Sequence, residues 1–431
     1  MYVMKWSVIA MAVAAGTSQM ALASSQSESE GFVEGSSLTI LNRNLYMNRD
    51  FRDDGSSRDA PYNDNQSYRE AWGHGFIGTF ESGFTQGTIG VGVDAIGLLG
   101  VKLDSGSDRA WPDIFPTDSE GRPQDDYSHA GAAIKFRVSN TVVKYGTQFV
   151  ALPVFSTDDA RLLPETARGA LITSGEINGL ELNAGRFTAL SGKSESDHDS
   201  VGLEELNLVG GTYAFGENLS TSLYYSDVKD NFEKYYGNVN YNMALGAVQS
   251  LAFDFNVYQT EYESERTGTG SDEDNTIWSL AATYGVGAHK FTAAYQKSHG
   301  GYFSAGGTPV GYDYGIDGGG TVWLGNSIQY SDFYYKDEQS WQVRYDLDMA
   351  AYGVSGLSFM TRYVNGSNID MQVGPDAEES EWDIEAKYVF QEGPAKDLSL
   401  RVRQAFYQAT NGLDNDLSDT RLIVEYPLSI L

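Results

Sequence analysis

Basic residues stand two positions apart in two short segments of this 431-residue chain. Lys135 and Arg137 form one such pair, and Arg401 and Arg403 form another. Side chains two residues apart in a β-strand lie on the same face, so the two cations repel each other unless an anion intervenes. Arginine offers a planar pair of donors that suits a carboxylate. The spacing therefore favours strand faces that bind anionic groups.

The segments around these cations alternate between apolar and polar residues, as half-buried strands do. Residues 341–348 follow this scheme, as do residues 251–258 and 382–390. In the first segment the apolar face consists of Trp341, Val343, Tyr345 and Leu347. A lysine or arginine that faces lipid at mid-membrane depth costs roughly 2–4 kcal/mol. The alternation therefore predicts that the cations line the inside of a transmembrane β-barrel.

The N-terminus and the composition narrow the class of protein. Lys5, the apolar stretch 6–15 and the Ala-Leu-Ala motif at 21–23 are typical of a signal peptide. We predict a signal peptide over residues 1–23 and a single β-barrel domain over residues 24–431. The net charge of −30 argues against nucleic-acid binding, and the absence of cysteine excludes thiolate chemistry.

Short turns mostly alternate with long polar connections, the pattern of outer-membrane barrels with periplasmic turns and external loops. Asn178-Gly179 is one such turn, since this dipeptide accepts the positive φ angles of tight hairpins. Counting between turns and loops predicts an all-β fold, a transmembrane antiparallel β-barrel of eighteen strands, with sixteen as the alternative. The predicted strands are 37–47, 68–84, 88–103, 127–138, 141–150, 170–177, 180–190, 205–215, 219–229, 233–245, 249–262, 275–284, 289–299, 340–351, 355–366, 380–390, 396–410 and 417–430.

Several motifs resemble those of the OprD family of substrate-specific porins from Gram-negative outer membranes. The resemblance covers essentially the whole mature chain and is most specific at Arg161-Leu-Leu-Pro164. The other matching motifs are Asn42-Arg-Asn44 with Asn48-Arg-Asp50, Ala71-Trp-Gly-His-Gly75, Glu81-Ser-Gly-Phe-Thr-Gln-Gly87, Gly97-Leu-Leu-Gly-Val-Lys-Leu103, Lys135-Phe-Arg-Val-Ser-Asn140, Tyr145-Gly146 and Glu425-Tyr-Pro-Leu428. The resemblance implies a monomeric barrel, with a weakly associated trimer as the alternative. It also implies contact with outer-membrane lipid and lipopolysaccharide.

The resemblance further implies a ladder of basic residues that passes small anionic solutes bearing carboxylates. Carried over by position, the ladder consists of Arg43, Lys135, Arg137, Lys144, Arg344, Arg362, Arg401 and Arg403. Strand alternation supports a lumen-facing side chain for all of these except Arg43 and Lys144. Arg43 stands an even number of residues from Leu41 and Leu45 and so shares their strand face. The alternative is that each cation is merely paired with an acid of the lumen. The acids available for this are Asp346, Asp348, Asp383, Glu385 and Glu425.

Residues 152–169 belong to the third long connection and contain two prolines, two adjacent acids and two arginines. Pro153 and Pro164 restrict the backbone, which suits a loop that holds a fixed constriction. The resemblance implies that this loop folds into the barrel. We predict that its polar edge, opposite the ladder, consists of Asp158, Asp159, Arg161 and Arg168. An ordinary external loop is the alternative on composition alone.

These features predict a porin for passive, selective uptake of small carboxylates, with small or aromatic acids favoured. A channel for basic amino acids or peptides is the first alternative. The acidic contact that such solutes need would come from Asp158, Asp159, Asp332 or Asp337. An outer-membrane enzyme is disfavoured, because none of the five histidines has a spacing that places it beside a serine or an acid. A soluble secreted β-protein is the third class. The sequence predicts no cofactor and no metal site.

Overall fold

The computed structural model describes residues 25–52, 67–111, 113–315 and 322–431. The predicted signal peptide lies outside these ranges. Helical segments within them are one α-helical turn, Ser264–Thr267, and one 3-10 turn, Met349–Tyr352. No helix in the described part of the chain is long and apolar enough to cross a membrane.

Eighteen antiparallel strands form one closed sheet, which confirms the predicted barrel. The sheet closes because the first strand pairs with the last, from Thr39 opposite Ser429 to Phe51 opposite Leu417. Two short hairpins, β6 with β7 and β16 with β17, stand outside this sheet. In chain order the strands are β1 (Ser37–Phe51), β2 (Tyr68–Glu81), β3 (Ile89–Asp104), β4 (Asp126–Val138), β5 (Thr141–Gln148), β6 (Ala151–Leu152), β7 (Phe155–Ser156), β8 (Thr166–Ile177), β9 (Leu180–Ser191), β10 (Leu206–Ala214), β11 (Leu219–Val228), β12 (Phe232–Ala244), β13 (Gln249–Tyr262), β14 (Glu273–Val286), β15 (His289–Gly300), β16 (Tyr302–Phe303), β17 (Pro309–Val310), β18 (Gln339–Asp348), β19 (Leu357–Ile369), β20 (Ala377–Val389), β21 (Ser399–Ala409) and β22 (Leu417–Ser429).

The observed strand ends follow the predicted ones closely. The largest differences are at β1, which continues to Phe51, and at β8, which begins at Thr166 rather than at residue 170. The two termini and the short turns lie at one end of the barrel, and the long loops lie at the other. In barrels of this kind the short turns face the periplasm. We number the connections at the loop end in chain order, with the short connection 229–231 as loop 5, and use loop 2 (105–125), loop 3 (149–165), loop 4 (192–205) and loop 7 (301–338).

Alternation along the strands separates an apolar outer face from a mixed inner face. Large apolar side chains exposed on the outer face include Val93, Leu99, Ile134, Phe136, Val343, Phe359, Val402 and Leu422. The paired tyrosines divide in the same way. Tyr225 and Tyr235 are on the outer face, with ring centroids 5.0 Å apart, whereas Tyr224 and Tyr236 are buried inside. The high tyrosine content therefore serves the lumen as well as the membrane-facing surface.

The hydrophobic core lies inside the barrel, where loops pack against the wall. Trp111 and Phe115 of loop 2 are fully buried and join Leu162 of loop 3 in one cluster against the first strands. The remainder of loop 3, including Phe155, packs in a second cluster against strands on the other side. The sequence suggested a polar loop 2, but its apolar residues fill the lumen because only there can they leave water.

Candidate functional site

Loop 3 crosses the interior of the barrel from one wall to the other. At one end the Arg43 guanidinium of β1 donates a hydrogen bond to the Arg161 carbonyl at 2.9 Å. At the other end the Tyr258 hydroxyl of β13 donates to the Pro153 carbonyl at 2.9 Å. β13 is the eleventh strand of the eighteen around the barrel, so these anchors stand on nearly opposite walls. The predicted inward-folded loop is therefore present, and it narrows the lumen.

Two glycines of β2 allow loop 3 to approach the wall. A Cβ atom on Gly73 would lie 2.6 Å from Leu162 Cδ2, and one on Gly75 would lie 2.8 Å from the Leu162 carbonyl oxygen. Any larger residue at either position would collide with the loop. The motif 71–75 and the motif 161–164, which are far apart in sequence, thus form one contact.

Arg43 fixes the polar edge of loop 3. Its guanidinium binds both carboxylate oxygens of Asp159, at 2.7 and 3.0 Å, and donates from Nε to Glu425 at 2.8 Å. The Arg43 side chain is 7% exposed, whereas that of Asp159 is 56% exposed. Arg43 therefore faces inward despite its apolar neighbours, because Leu41, Leu45 and Met47 on the same face pack against loops 2 and 3.

Asp158 stabilises loop 3 from the opposite side. Its carboxylate accepts a hydrogen bond from Lys193 of loop 4 at 2.7 Å and another from the Ala160 backbone at 2.8 Å. Burial alone would raise the pKa of Asp158, but the Lys193 ammonium and these hydrogen bonds outweigh burial and hold the pKa below its usual value. Burial likewise opposes the Lys193 charge, yet Asp158 raises the pKa of Lys193. The pair is a structural tie between loops 3 and 4.

The Asp158–Lys193 pair predicts that the attachment of loop 3 to loop 4 is constant over a wide pH range. The lowered pKa of Asp158 means that its stabilising contribution is complete above the unfolded value of about 3.9 and is lost as pH falls through the folded value. The raised pKa of Lys193 means that its contribution is complete below about 10.4 and is lost only at higher pH. We expect a spin label on Ala160→Cys to keep constant mobility between pH 5 and pH 9 and to gain mobility in stronger acid. Lys193→Met should give the mobile spectrum at neutral pH. A change in mobility between pH 8 and pH 6 in the parent would contradict this assignment.

Arg161 is the one basic residue of loop 3. Its nearest carboxylate is Asp113, at 3.8 Å, and its buried Nε makes no hydrogen bond. Burial, followed by the positive charge of Arg421, lowers the pKa of the Arg161 guanidinium. The group still carries its charge, since arginine does not deprotonate in proteins. Arg161 is therefore a weakly neutralised cation, 15% exposed, on the loop that crosses the lumen.

Arg168 lies in β8 rather than in loop 3, where the constriction edge was predicted. β8 begins early, so Arg168 is a strand residue, paired with Thr147 of β5. Arg168 is exposed, whereas Ala167 and Gly169 on either side are buried. The pairing of β8 with β9 shifts its register between Arg168 and Gly169, so the strand is irregular at this point.

The basic residues of β18 to β22 form ion pairs within the wall. Arg344 binds Asp346 at 2.6 Å, and Arg362 binds Asp383 at 2.7 Å. Glu385 lies between the two arginines of β21, at 2.6 Å from Arg401 and 3.3 Å from Arg403. The side chains of Arg401 and Arg403 are 34% and 18% exposed, and the Nε of each makes no hydrogen bond. One carboxylate thus separates two cations whose hydrogen-bonding capacity it does not fill.

The basic residues of β4 and β5 are more fully neutralised. Lys135 and Lys144 share Asp94 of β3, with N–O distances of 2.6 and 2.5 Å. Arg137, nearest the periplasmic turn, stacks on the Phe84 ring at 4.2 Å. These three cations therefore lie inside the barrel, and Asp94 neutralises two of them.

Three lumen residues were not among the predicted site residues. Arg49 of β1 and Arg421 of β22 both bind Asp419, at 2.9 and 2.6 Å. Arg49 also lies over the rings of Trp111 and Tyr330, at 4.9 and 4.5 Å. The sequence signal for Arg49 was that it shares a strand face with Arg43. The apolar Leu45 and Met47 between them on that face obscured this signal.

Loop 7 is held by carboxylates of β20. Glu381 accepts hydrogen bonds from the backbone of Tyr330 and Ser331, at 2.9 and 2.8 Å. The Ser331 hydroxyl donates to Glu379 at 2.8 Å. Burial, followed by the neighbouring Glu379 carboxylate, raises the pKa of Glu338 well above its usual range. Two buried carboxylates in contact retain a proton between them. Loop 7 is therefore part of the fixed lining.

The predicted acidic contacts differ in their access to water. Asp158 is buried and Asp332 is half-buried, and the hydroxyls of Tyr314 and Ser327 donate hydrogen bonds to Asp332. Asp337 pairs with Lys336 at 2.9 Å. Asp159 therefore offers the most exposed carboxylate of the four, and Asp113, 55% exposed, adds another beside Arg161.

The histidines occupy unrelated places. His129 contacts the Thr166 hydroxyl at 2.9 Å, and His299 contacts Asp337 at 3.1 Å. His289 contacts the Tyr345 hydroxyl at 2.8 Å, while His74 and His198 stack on neighbouring rings. In the described part of the chain, no histidine lies between a hydroxyl and a carboxylate. Within the same ranges, no group of three or more acidic or histidine side chains is arranged to hold a metal ion.

Comparison with known proteins agrees with this architecture. A family model described as outer membrane porin, OprD family, matches residues 30–430. Porin D of Pseudomonas aeruginosa is 45% identical over 463 aligned residues, which span 100% of both chains. The porin-like protein GalP of Pseudomonas putida is 32% identical and covers 94% of this chain and 95% of its own.

Solved structures give the same result. The crystal structure of Acinetobacter baumannii OccAB1 superposes with a TM-score of 0.87 at 32% identity, over 95% of this chain and 100% of its own. The structure of Pseudomonas aeruginosa OpdK with vanillate superposes with a TM-score of 0.80 at 33% identity, over 93% of this chain and 100% of its own.

Proposed function

Because the chain belongs to the OprD family of outer membrane porins, which are substrate-specific channels of Gram-negative bacteria, we propose that it takes up small carboxylate-bearing solutes. The solute would pass the constriction with its carboxylate on arginines of loop 3 and of the wall. Small or aromatic acids are the favoured class. The outer apolar face of the barrel contacts lipid, and its loops meet lipopolysaccharide.

One observation carries this proposal: three arginines of the lumen are incompletely neutralised by carboxylates. Arg401 and Arg403 share the single carboxylate of Glu385 and are 34% and 18% exposed, and the nearest carboxylate to Arg161 lies 3.8 Å away. Most of the other lumen cations bind an acid at 2.5 to 2.7 Å. A carboxylate supplies two acceptor oxygens in the plane of a guanidinium. Several such positions in series allow a solute to move from one to the next instead of remaining bound.

The charge of Arg421 supports a shared path. Arg421 acts electrostatically on Arg161 of loop 3 and on Arg403 of the wall, so it lies within electrostatic range of both cations. An anion between them would relieve this repulsion. The vanillate in the OpdK structure is an aromatic carboxylate, so a relative of the same fold accommodates this class of solute.

We expect benzoate to interrupt the ionic current through single channels at millimolar concentration. Benzamide, which has the same shape without the charge, should leave the current unchanged, because an amide forms no charge-assisted pair with arginine. Arg403→Ala should weaken the benzoate effect about tenfold, which corresponds to one lost hydrogen bond to a charged group. Equal interruption by benzoate and benzamide would contradict the proposal.

Uptake of basic amino acids is the alternative function, and one observation favours it. Asp159 and Asp113 are half-exposed beside Arg161, so a cation and two carboxylates are presented together. A zwitterion with a second positive charge would match this arrangement. Free arginine, tested in the same single-channel assay as benzoate, distinguishes the two functions. The alternative would be established if arginine interrupts the current, Asp113→Asn removes this effect, and benzoate has no effect.

A further inference from the structure

The segment immediately after the predicted signal peptide folds into the periplasmic end of the barrel. Residues 25–36 run from the turn between β4 and β5 to the start of β1. The Ser25 backbone donates to the Asn140 side chain at 2.8 Å, and the Gln26 backbone donates to the Ser139 carbonyl at 3.1 Å. Ser29 donates from its hydroxyl to the Phe84 carbonyl at 2.5 Å. We call residues 25–36 the N-terminal segment.

Gln26 is the buried centre of the N-terminal segment. Its side-chain nitrogen donates to the carbonyls of Thr85 and Gly87, at 2.9 and 3.0 Å. Its side-chain oxygen accepts a hydrogen bond from Arg137 Nε at 2.9 Å. The residue is 4% exposed, and both polar atoms of its amide are engaged. The neutral Gln26 amide therefore accepts a hydrogen bond from Arg137, the basic residue of β4 nearest the periplasmic turn.

The wall provides a fitted place for this amide. Gly90 of β3 pairs in register with Arg137, and a Cβ atom on Gly90 would lie 2.2 Å from Gln26 Oε1. The Phe84 ring covers the other side of the guanidinium. Arg137 is thus held between an aromatic face and an amide oxygen, and no carboxylate takes part in these contacts. Arg137 differs in this from Arg43 and Arg421, which bind carboxylates as well as neutral carbonyl oxygens of the loops.

We propose that Gln26 sets the anion preference of the periplasmic exit by occupying Arg137. Its amide oxygen takes the place that an oxygen of a solute carboxylate would take, so a leaving solute meets a partly satisfied cation and is released. This proposal rests on the proposed function, because it treats Arg137 as the last cation on the path. Gln26 is a positioning residue, and the N-terminal segment is the element that delivers it.

Opposite effects of two substitutions test the proposal. Gln26→Ala removes the competing oxygen and should raise the anion-to-cation permeability ratio, measured as a reversal potential in a KCl gradient. Gln26→Glu places a carboxylate on Arg137 and should lower the ratio. For Gln26→Glu the expected change is about fivefold at low ionic strength, the factor given by a unit charge about 4 Å from the ion path in a water-like dielectric. For Gln26→Ala, which changes no charge, the expected shift is smaller and in the opposite direction. Gly90→Ala, which displaces the amide, should resemble Gln26→Ala.

Two controls separate this effect from misfolding and from simple surface charge. Glu30→Gln alters the charge of the same segment at an exposed position and should leave the ratio unchanged. In an Arg137→Ala background Gln26→Ala should have no effect, since its effect acts through Arg137 and interacting residues are non-additive. Heat-modifiable migration on a gel confirms that each variant is a folded barrel.

The outcomes distinguish this proposal from the proposed function. Shifts of Gln26→Ala and Gln26→Glu in the same direction, or a Gln26→Ala shift that persists without Arg137, overturn the role of Gln26. If benzoate and Arg403→Ala behave as expected in the same preparations, the proposed function stands although Gln26 has no part in it. If those also fail, the basic path itself is wrong.

Discussion

Arg43→Ala is expected to detach the inner end of loop 3 and to raise the single-channel conductance. The substitution removes the guanidinium that binds Asp159 through two hydrogen bonds and holds the Arg161 carbonyl. Hydrogen bonds to charged groups contribute roughly 1.5–3 kcal/mol each, so the loss of one such bond changes the ratio of attached to detached loop by about tenfold or more. The apolar contacts of Leu162 remain, so the release is confined to the polar edge.

Conductance and spin-label mobility measure this release together. A label at Ala160→Cys reports on the loop directly, and the native chain contributes no thiol of its own. Arg186→Ala is the matched control, because Arg186 also lies on a strand and forms one ion pair, with Glu205, but contacts no part of loop 3. An unchanged label spectrum in Arg43→Ala would show that the Leu162 contacts alone hold the loop.

Arg161→Ala is expected to lower the anion preference of the channel more than any other single loop substitution. The guanidinium lies at the constriction with one weak carboxylate contact, so its charge acts on passing ions. A unit charge about 4 Å from an ion contributes about 1 kcal/mol even in a water-like dielectric, which is about a fivefold change in the permeability ratio. The effect should shrink in 1 M salt, where charges are screened within about 3 Å.

The reversal potential in a KCl gradient measures this preference. Arg122→Ala removes the same charge from an exposed position of loop 2, where Arg122 pairs with Asp118, and should leave the ratio unchanged. Arg161→Lys should retain most of the preference, because it keeps the charge but not the planar donors. Equal ratios for the parent and Arg161→Ala would remove Arg161 from the ion path.

Much of the architecture could be predicted because a barrel strand has a period of two. Lipid-facing positions are apolar, so the strands and turns can be predicted from the sequence. The same alternation predicts that cations such as Arg401 and Arg403 point into the lumen. The strand count and the position of loop 3 followed from this periodicity together with the family motifs. The alternation failed at β1, where Arg43 and Arg49 share a face with Leu45 and Met47.

The failure at β1 has a physical cause that lies far away in the sequence. Its inner face is apolar because loops 2 and 3 pack on it, and strand alternation alone cannot tell a face covered by loops from one covered by lipid. Gly73 and Gly75 likewise depend on a distant residue. Only glycine fits at these two positions, because Leu162 of loop 3 lies directly against them. Arg168 was misplaced because β8 extends four residues further than the turn signals indicated.

By itself, the sequence determined the barrel, its inner and outer faces and the identity of the basic residues, because these depend on local periodicity and on the cost of charge in lipid. Only the tertiary structure decided which of those basic residues keep free hydrogen-bonding capacity. That depends on pairing across strands and loops. Asp94 forms ion pairs with Lys135 and Lys144, Asp159 forms one with Arg43, and Gln26 accepts a hydrogen bond from Arg137. Whether an arginine is a binding position or a structural tie is therefore a property of its partners, which the folded chain brings together from distant positions.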